Sequence, residues 1–309
     1  MKMLAAILGT AVILSPPLHA QFTGPKVADA KPGDVRLIAT AAIREPLNAV
    51  LKQAEAIVDK PIVAEYGSAR GNLKDQILKG QDFEVAMLLP DVDDEIQAAG
   101  KIVPGRFEIA RVPVALGLRG EAPSPDVSSP ATIKAALLNA KSVKYSPTGA
   151  ALMTVRKILS TLEIGDKIHD SSAVRGEVPL AAGEYEINIY PLSEIISNTK
   201  LKNLGAVIAQ LQVPAIIEAT VGKNAADPKI ALALIKFLQG PAIDQSLKDY
   251  GMEKGQVGKE ADAATRLARR RWIRCNSDLN PGLTWRDKWL CRGAARRWSR
   301  PCSPCPCHR

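Results

Sequence analysis

Over most of its length the chain lacks the cysteines that form disulfides and redox sites, and it has few aromatic side chains. Residues 21–258 contain no cysteine and no tryptophan, and aromatic side chains make up only 4% of the whole chain. This segment therefore forms no disulfide, which suits an exported protein because an unpaired thiol is a liability in an oxidising compartment. At 238 residues it is long enough to bury one large apolar core or two medium ones.

Residues 21–258 also lack the motifs of common catalytic sites. His169 is the one histidine of this segment, and neither a cysteine, a His/Glu metal spacing nor a Gly-x-Ser-x-Gly elbow accompanies it. Residues 67–71 lack the lysine and hydroxyl residue of a phosphate-binding loop, and the acidic cluster at residues 91–95 is interpreted as a solvated helix cap. We expect no catalytic residue, no metal and no cofactor. The alternative is an exported hydrolase or transferase acting on a small anionic substrate.

Positive charge is concentrated in the last 51 residues. Residues 259–309 hold 13 of the 41 Lys and Arg side chains but only 4 of the 32 Asp and Glu side chains, together with every cysteine and every tryptophan. Before residue 259, 28 basic and 28 acidic side chains remain. An excess of positive charge would suggest a nucleic-acid partner, and none is expected for this neutral remainder.

Three interpretations fit the basic segment. Arginines around Trp272 are typical of an arm that binds nucleic acid or a membrane surface, and the thiols between Cys302 and Cys307 suggest a metal site. However, an exported protein does not meet nucleic acid, and prolines stiffen the cysteine stretch. We favour an out-of-frame translation, because arginine, tryptophan, cysteine and proline rise together where apolar periodicity ends. Residues 259–309 would then be an aberrant, unstructured tail.

The N-terminus has the layout of a secretory signal peptide. Lys2 precedes an apolar stretch from Met3 to Leu14, and the small Ala20 suits the last position before cleavage. This stretch is shorter than the roughly 20 apolar residues of a transmembrane helix. Residues 1–20 are therefore predicted to direct export, and the mature protein is expected to be soluble and periplasmic.

Short apolar runs alternate with amphipathic patterns from residue 35 onward. Residues 35–39 and 62–66 are typical of buried strands, and apolar residues between Leu47 and Ile57 recur at helical spacing. Residues 112–118 are predicted to form another strand. This alternation predicts an α/β protein with mostly parallel sheets and helices on both faces.

Three junctions between a strand and the next helix are rich in small residues. Ligands of open α/β sheets bind beyond the carboxyl ends of the strands, and helix N-termini there offer unpaired N–H donors and partial positive charge. Each junction alone fits ordinary helix capping. Together they predict a pocket for a small anion, in which hydroxyl groups donate hydrogen bonds and a guanidinium pairs with the ligand. The candidate residues are Thr40, Ser68, Arg70 and Thr148.

Three stretches carry a family resemblance. Residues 38–42 read Ile-Ala-Thr-Ala-Ala, residues 66–80 run from Tyr-Gly-Ser to Gln-Ile-Leu-Lys-Gly, and residues 174–190 end in Tyr190. They resemble the first strand and turn, the Ser-Gly-x-Leu-x-x-Gln-Ile-x-x-Gly segment, and the stretch with a ligand-contacting tyrosine in the periplasmic molybdate-binding proteins of ABC transporters. These are type II periplasmic solute-binding proteins. The resemblance extends over about residues 34–255.

The resemblance implies a two-lobed periplasmic-binding-protein fold that closes on a ligand around a two-strand hinge. The first lobe would comprise residues 34–110 and 213–258, and the second residues 111–212. It further implies a non-catalytic receptor that delivers a small anion to an inner-membrane ABC permease. We expect a monomer. A periplasmic sensor subunit is an alternative that the sequence does not separate.

The implied site departs from the family pattern at two positions. Ala42 and Arg70 stand where the family places two oxyanion-binding serines, so both hydroxyls are lost while backbone N–H groups remain. Val174 and Tyr190 match the family's ligand contacts, and Thr148 matches more loosely. Because a guanidinium changes the charge and shape of a site built from neutral donors, the expected ligand is either a molybdate-like oxyanion or an organic anion.

Overall fold

The structure is a computed structural model that describes residues 24–174 and 176–256. The predicted signal peptide, residues 1–20, and the basic segment, residues 259–309, lie outside the described residues. In the described part of the chain, no helix is long and apolar enough to cross a membrane.

The strands assemble into two sheets. A six-stranded sheet has the order β10-β4-β9-β3-β1-β2, and a four-stranded sheet has the order β6-β7-β5-β8. Five of the six residues of β1 are buried, as expected of a strand near the centre of a covered sheet. The strands are β1 (Val35–Thr40), β2 (Ile62–Gly67), β3 (Val85–Leu88), β4 (Phe107–Val112), β5 (Val114–Arg119), β6 (Ser142–Tyr145), β7 (Glu186–Pro191), β8 (Lys202–Ala206), β9 (Ala215–Val221) and β10 (Glu253–Lys254).

Side chains cap the starts of two helices. In the helix that follows Asp227, the Asp227 carboxylate accepts hydrogen bonds from two backbone N–H groups, and Pro228 occupies a first-turn position, which needs no N–H donor. Ser129 and Thr132 form a capping box at another helix start. The helices are α1 (Arg44–Val58), α2 (Lys74–Leu78), α3 (Pro90–Ala98), α4 (Pro130–Asn139), α5 (Leu152–Leu162), α6 (Leu192–Ser197), α7 (Pro228–Leu238) and α8 (Asp244–Asp249).

Strand direction corrects one expectation from the sequence. The α/β class is confirmed, but the prediction of mostly parallel sheets was wrong, because the sheets are mixed. Among the described strands, β1 pairs in parallel with β2 and β3, and β6 with β7, whereas the other five pairings are antiparallel. Val112, where β4 leaves the larger sheet, lies opposite Ala215, where β9 enters it. β4 therefore ends where β9 begins, at the same end of the sheet, so the two strands run antiparallel.

Each sheet has its own apolar core. The larger core contains Leu37, Leu47 and Leu88, and the smaller core contains Leu116, Val155 and Ile189. The chain passes from one sheet to the other at Pro113 and returns after β8. The predicted strand at residues 112–118 is therefore two strands, since β4 ends at Val112 and β5 begins at Val114 in the other sheet.

The acidic first turns of α3 are not a simple solvated cap. Asp91, Asp94 and Glu95 form ion pairs with Arg70, Arg106 and Lys74 respectively. Asp93 is 0% exposed, and neither of its carboxyl oxygens has a hydrogen-bond partner in the described residues. Burial, together with the nearby Glu218 carboxylate, raises the pKa of Asp93 to about 8. The interpretation of Asp93 as part of a solvated cap was wrong.

Candidate ligand-binding site

Two of the three predicted junctions touch each other directly. The loop after β2 meets the loop after β6, where the Ser68 hydroxyl donates to Thr148 Oγ1 over 2.7 Å and the Arg70 backbone N–H donates to the Thr148 carbonyl over 3.1 Å. Gly71 allows this approach, since a Cβ at that position would lie 2.9 Å from Thr148 Oγ1. We call this region, made of residues 68–71 and 148–149, the loop contact.

The Arg70 side chain is paired within the protein. Its Nε and Nη2 groups donate to the two carboxylate oxygens of Asp91, at 2.6 and 3.0 Å, and Nη1 donates to the Gly149 carbonyl at 2.7 Å. This is the bidentate geometry that a guanidinium adopts with a carboxylate. Arg70 thus pairs with a carboxylate of the chain itself, and its pairing with a ligand stays a prediction.

The third junction contacts the N-terminus of α6. A short 3₁₀ helix, Ala41–Ile43, follows Thr40 at the end of β1, and both Thr40 and Ala42 are buried. The Ser193 hydroxyl, in the first turn of α6, donates to the Ala42 carbonyl over 2.6 Å. This hydrogen bond connects the segment after β1 of the larger sheet to the helix after β7 of the smaller sheet.

Two cavities lie beside α6. The first has a volume of about 380 Å³ and the second about 310 Å³, both within the roughly 300–1,000 Å³ of small-molecule sites. Residues from the start of α1, including Arg44 and Glu45, line the first cavity, and Lys144, Asn188 and Tyr190 line part of the second. Both cavities share three lining residues: Glu194, Asn198 and Lys200.

Glu194 differs from its neighbouring carboxylates. Glu186 is buried, but hydrogen bonds from Arg119, Ser142 and Asn188 outweigh this burial and lower its pKa. A hydrogen bond from Lys200 lowers the pKa of Glu177. For Glu194, burial raises the pKa to about 7, while the positive charge of Arg44 acts in the opposite direction. A carboxyl group at the junction of both cavities therefore changes charge near neutral pH.

Two tyrosines lie close to these groups, Tyr66 beside Arg44 and Tyr190 in the wall of the second cavity. Arg44 lies over the Tyr66 ring, with 5.4 Å between its Cζ atom and the ring centroid, which is a cation–π arrangement. The Tyr66 hydroxyl donates to Asn48 Oδ1 over 2.6 Å. Burial raises the pKa of Tyr190, so this phenol is a neutral hydrogen-bonding group at physiological pH.

The predicted residues fall into separate groups. Ser68, Arg70 and Thr148 meet at the loop contact, Ala42 lines the first cavity and Tyr190 lines the second. Thr40 is 2% exposed at the end of β1, whereas Val174 is 47% exposed and donates its N–H to the Ser171 carbonyl. Sequence reasoning missed Glu194 and Lys200. Their one signal was position, because they follow the tyrosine that ends the resembling stretch.

Metal binding has no cluster to support it in the described ranges. No group of three or more His, Cys, Asp or Glu side chains there could hold a metal ion. The thiols proposed for one tail interpretation lie outside the described residues.

The structure has two sheets with separate apolar cores, and the first cavity lies between segments that follow a strand of each sheet. These features define a class of protein. This is the two-lobed fold of the periplasmic binding proteins. The chain belongs to the bacterial extracellular solute-binding protein family, whose model matches residues 35–253. The family resemblance predicted from the sequence is thereby confirmed.

Two named relatives differ in what they do. The chain is 20% identical over 216 residues to an aconitate isomerase from Pseudomonas sp, covering 68% of this chain and 82% of that protein. It is 24% identical over 233 residues to the molybdate-binding protein ModA of Azotobacter vinelandii, covering 72% of this chain and 90% of that protein. One relative is named as an enzyme and the other as a binding protein.

Solved structures share the fold at low identity. The periplasmic molybdate-binding protein of Azotobacter vinelandii matches with a TM-score of 0.55 and 18% identity, over 72% of this chain and 100% of that one. The sulfate-binding protein SubI of Mycobacterium tuberculosis H37Rv matches with a TM-score of 0.54 and 13% identity, over 75% and 89%. At these identities the similarity establishes the fold, and the ligand has to be argued from the residues of this chain.

Proposed function

We propose that the protein is the periplasmic substrate-binding component of an ABC importer and that its ligand is a small organic carboxylate. The observation that carries this proposal is the pair of cavities that meet at Glu194, with Arg44 and Lys200 in their walls. A guanidinium and an ammonium attract an anionic ligand. Asn198 and the neutral Tyr190 phenol add hydrogen-bonding groups that can orient it.

The contacts of the predicted oxyanion donors favour a carboxylate over a tetrahedral oxyanion. Position 42 has no hydroxyl, and the Ser68 hydroxyl is directed at Thr148. The Arg70 guanidinium is held by Asp91 and Gly149. We therefore propose that these residues, with Thr40, hold the cleft together rather than coordinate the ligand, and that Ala42 and Tyr190 belong to the ligand site.

A two-lobed receptor also requires a hinge and a membrane partner. We propose lobes at residues 34–110 with 213–258 and at residues 111–212, joined through Pro113 and the returning segment before β9. Separate apolar cores on the two sheets support this division, because each lobe can then move as a body. Closure around the ligand would exclude water and present one surface to the permease.

Calorimetry on the purified protein tests the proposed ligand class. The panel is fumarate, malate, citrate, molybdate and sulfate, and at least one carboxylate is expected to bind in the micromolar range or tighter without being consumed. Tight binding of molybdate or sulfate with no binding of carboxylates would overturn the carboxylate assignment. Failure of every anion to bind would overturn the receptor function.

A pair of lysine variants separates the site from general charge effects. Lys200 and Lys52 are both exposed and both paired with a glutamate, at 2.7 and 2.8 Å, but only Lys200 lines the cavities. We expect Lys200→Gln to weaken carboxylate binding about three- to tenfold, in line with an exposed charge pair, and Lys52→Gln to leave it unchanged. Equal effects would place the ligand elsewhere.

A second candidate function is an isomerase that moves a proton on an organic polycarboxylate. It is favoured by the similarity to aconitate isomerase and by Glu194, whose pKa near 7 suits a group that accepts and returns a proton. Proton NMR of the protein with cis- or trans-aconitate distinguishes the two functions. A receptor leaves each isomer unchanged over hours, whereas an isomerase converts one into the other.

A further inference from the structure

Glu194 is an unusual component of a site for anions. It sits in the first turn of α6 and lines both cavities together with Asn198 and Lys200. An ionised carboxylate there would repel an anionic ligand at close range. A protonated carboxyl group would instead donate a hydrogen bond to it. The protonation state of Glu194 therefore decides whether the site attracts or repels its ligand.

The surroundings of Glu194 contain one charge that acts strongly on it. Arg119 and Glu186 pair with each other at 3.0 Å, so their charges offset one another, and the Tyr190 phenol is neutral. Arg44 is the charge whose attraction favours the ionised form of Glu194. Lys200 and Glu177 also pair with each other, at 2.7 Å. The titratable and charged groups that line the two cavities with Glu194, or lie on a strand packed against α6, are Arg44 and Glu45 of α1, Arg119 of β5, Lys144 of β6, Glu186 and Tyr190 of β7, Glu177, Lys200, and Lys202 of β8.

We propose that Glu194 binds the ligand in its protonated form, so that each carboxylate is taken up together with one proton. This rests on the proposed function. The Glu194 O–H donates to a carboxylate oxygen of the ligand, which forms a short charge-assisted hydrogen bond, while Arg44 holds the ligand's negative charge. Two carboxyl groups then share one proton, an arrangement that raises the pKa of one member of such a pair. No bond other than this hydrogen bond is formed.

The shared proton also selects among ligands. A ligand with a carboxylate placed at Glu194 gains the hydrogen bond, and a second carboxylate of the same ligand can approach Lys200, which belongs to both cavities. The amide analogue of that first carboxylate carries no negative charge to share with the Glu194 proton. The site therefore takes dicarboxylates and larger polycarboxylates in preference to their mono-amides.

Proton-counting calorimetry tests the proposal. Binding of fumarate and of malate is measured between pH 6 and pH 8.5. At pH 8 it is measured both in HEPES and in Tris, which both buffer there, so that the difference in heat between the buffers counts the protons taken up. Wild-type protein is expected to take up close to one proton at pH 8, and its affinity is expected to fall about tenfold for each pH unit above 7. Glu194→Gln is expected to take up none and to bind with constant affinity. Glu121→Gln, which changes an exposed acid outside the cavities, should keep the wild-type slope.

Each outcome bears on the proposal. If wild-type protein binds a carboxylate without proton uptake, or if Glu194→Gln retains the wild-type pH slope, the proton-linked mechanism is wrong while the receptor function stands. If no anion of the panel binds at any pH, both are wrong. A melting curve of Glu194→Gln matching that of wild type shows that a changed slope comes from the site and not from unfolding.

Discussion

The loop contact and the α6 cavities both contain polar and charged side chains. Those of the loop contact are bonded to other residues of the protein, whereas Glu194 faces open cavities. At the loop contact, Ser68 bonds to Thr148, and the Arg70 guanidinium bonds to Asp91 and Gly149. Beside α6, the Glu194 carboxyl group faces two cavities, and burial raises its pKa to about 7. Both regions join segments that follow different sheets. At the loop contact the polar groups bond to other residues of the protein, whereas beside α6 we propose that they face a ligand.

This difference separates residue type from residue role. A serine, a threonine and an arginine at strand ends are suitable anion donors. Here, however, Ser68 donates to the Thr148 hydroxyl, and Arg70 donates to the Asp91 carboxylate and the Gly149 carbonyl. A buried polar group with partners contributes to stability, whereas one that faces a cavity remains available. Changes at the loop contact should therefore alter stability, and changes beside α6 should alter binding.

The largest expected effect concerns Asp93. It tests whether a buried carboxyl group without a hydrogen-bond partner is enough to form a ligand-binding site. Asp93 resembles Glu194 in its raised pKa, but it lines neither α6 cavity. Unfolding lets Asp93 ionise above about pH 4 while the folded form stays protonated up to about pH 8, so its stabilising contribution is complete below pH 4 and is lost between pH 4 and 8. Asp93→Asn should remove this loss and raise the free energy of unfolding by up to about 5 kcal/mol at pH 8.

Urea unfolding at pH 4.5, 6 and 8 measures this change. The stabilisation by Asp93→Asn should grow with pH, whereas Asp94→Asn, at an exposed carboxylate paired with Arg106, should show no such growth. Ligand affinity should not change in either variant. A change in affinity in Asp93→Asn would mean that unpartnered carboxyl groups act on binding even away from a cavity.

The next effect concerns the cation that faces Glu194. Arg44→Gln removes a positive charge from the wall of the first cavity and should weaken carboxylate binding about 100-fold, since losing a hydrogen-bonded charge partner costs about 2–5 kcal/mol. It should also raise the pKa of Glu194, because Arg44 lowers it. Arg156→Gln, at an exposed position of α5, carries the same charge change and should leave affinity intact. Equal losses in both variants would reduce the effect to overall charge.

Breaking the Arg70 fork should affect stability instead. Arg70→Met removes the hydrogen bonds to Asp91 and Gly149 and should lower the free energy of unfolding by about 2 kcal/mol. Carboxylate affinity should change less than threefold at a temperature where the variant is fully folded. Should affinity instead shift more than tenfold among the anions of the panel, Arg70 contacts the ligand and the two regions form one site.

The smallest expected effect tests the close approach at the loop contact. Gly71→Ala places a Cβ 2.9 Å from Thr148 Oγ1 and should destabilise the protein by about 1 kcal/mol. Combining it with Thr148→Ala removes that contact, so the double variant should be more stable than the sum of the single effects predicts. A double-mutant cycle from thermal unfolding measures this coupling. Additive effects would mean that the loops separate easily in solution.

Much of the fold follows from local patterns in the sequence. The apolar runs at β1 and β2 and the proline that starts α7 mark elements within a few residues, because propensity and periodicity are local properties. Strand direction is not local. Residues 112–118 form a continuous apolar pattern across Pro113, and only the placement of β4 and β5 in different sheets reveals two strands. The antiparallel insertion of β9 likewise depends on residues more than 100 positions apart.

The site was less accessible from the sequence than the fold. The junctions around Ala42, Ser68 and Thr148 were found because small residues and hydroxyls cluster there. The partner of Arg70 lies 21 residues away on α3, in a cluster that looked like a solvated cap. Glu194 is one acid in a short helix, and the burial that raises its pKa comes from tertiary packing. No local pattern encodes that burial.

The hydrogen bond between Ser193 and the Ala42 carbonyl sets a limit on how the cavities can change shape. Ser193 and Glu194 are neighbours in one helical turn, so a rotation of α6 that swings the carboxyl group also pulls on the bond to Ala42. The volume of the first cavity and the distance between Ser193 and Ala42 are therefore expected to change together. A rotation of α6 that followed a change in the charge of Glu194 would therefore act on the bond to Ala42, while the loop contact also holds segments of the two sheets together.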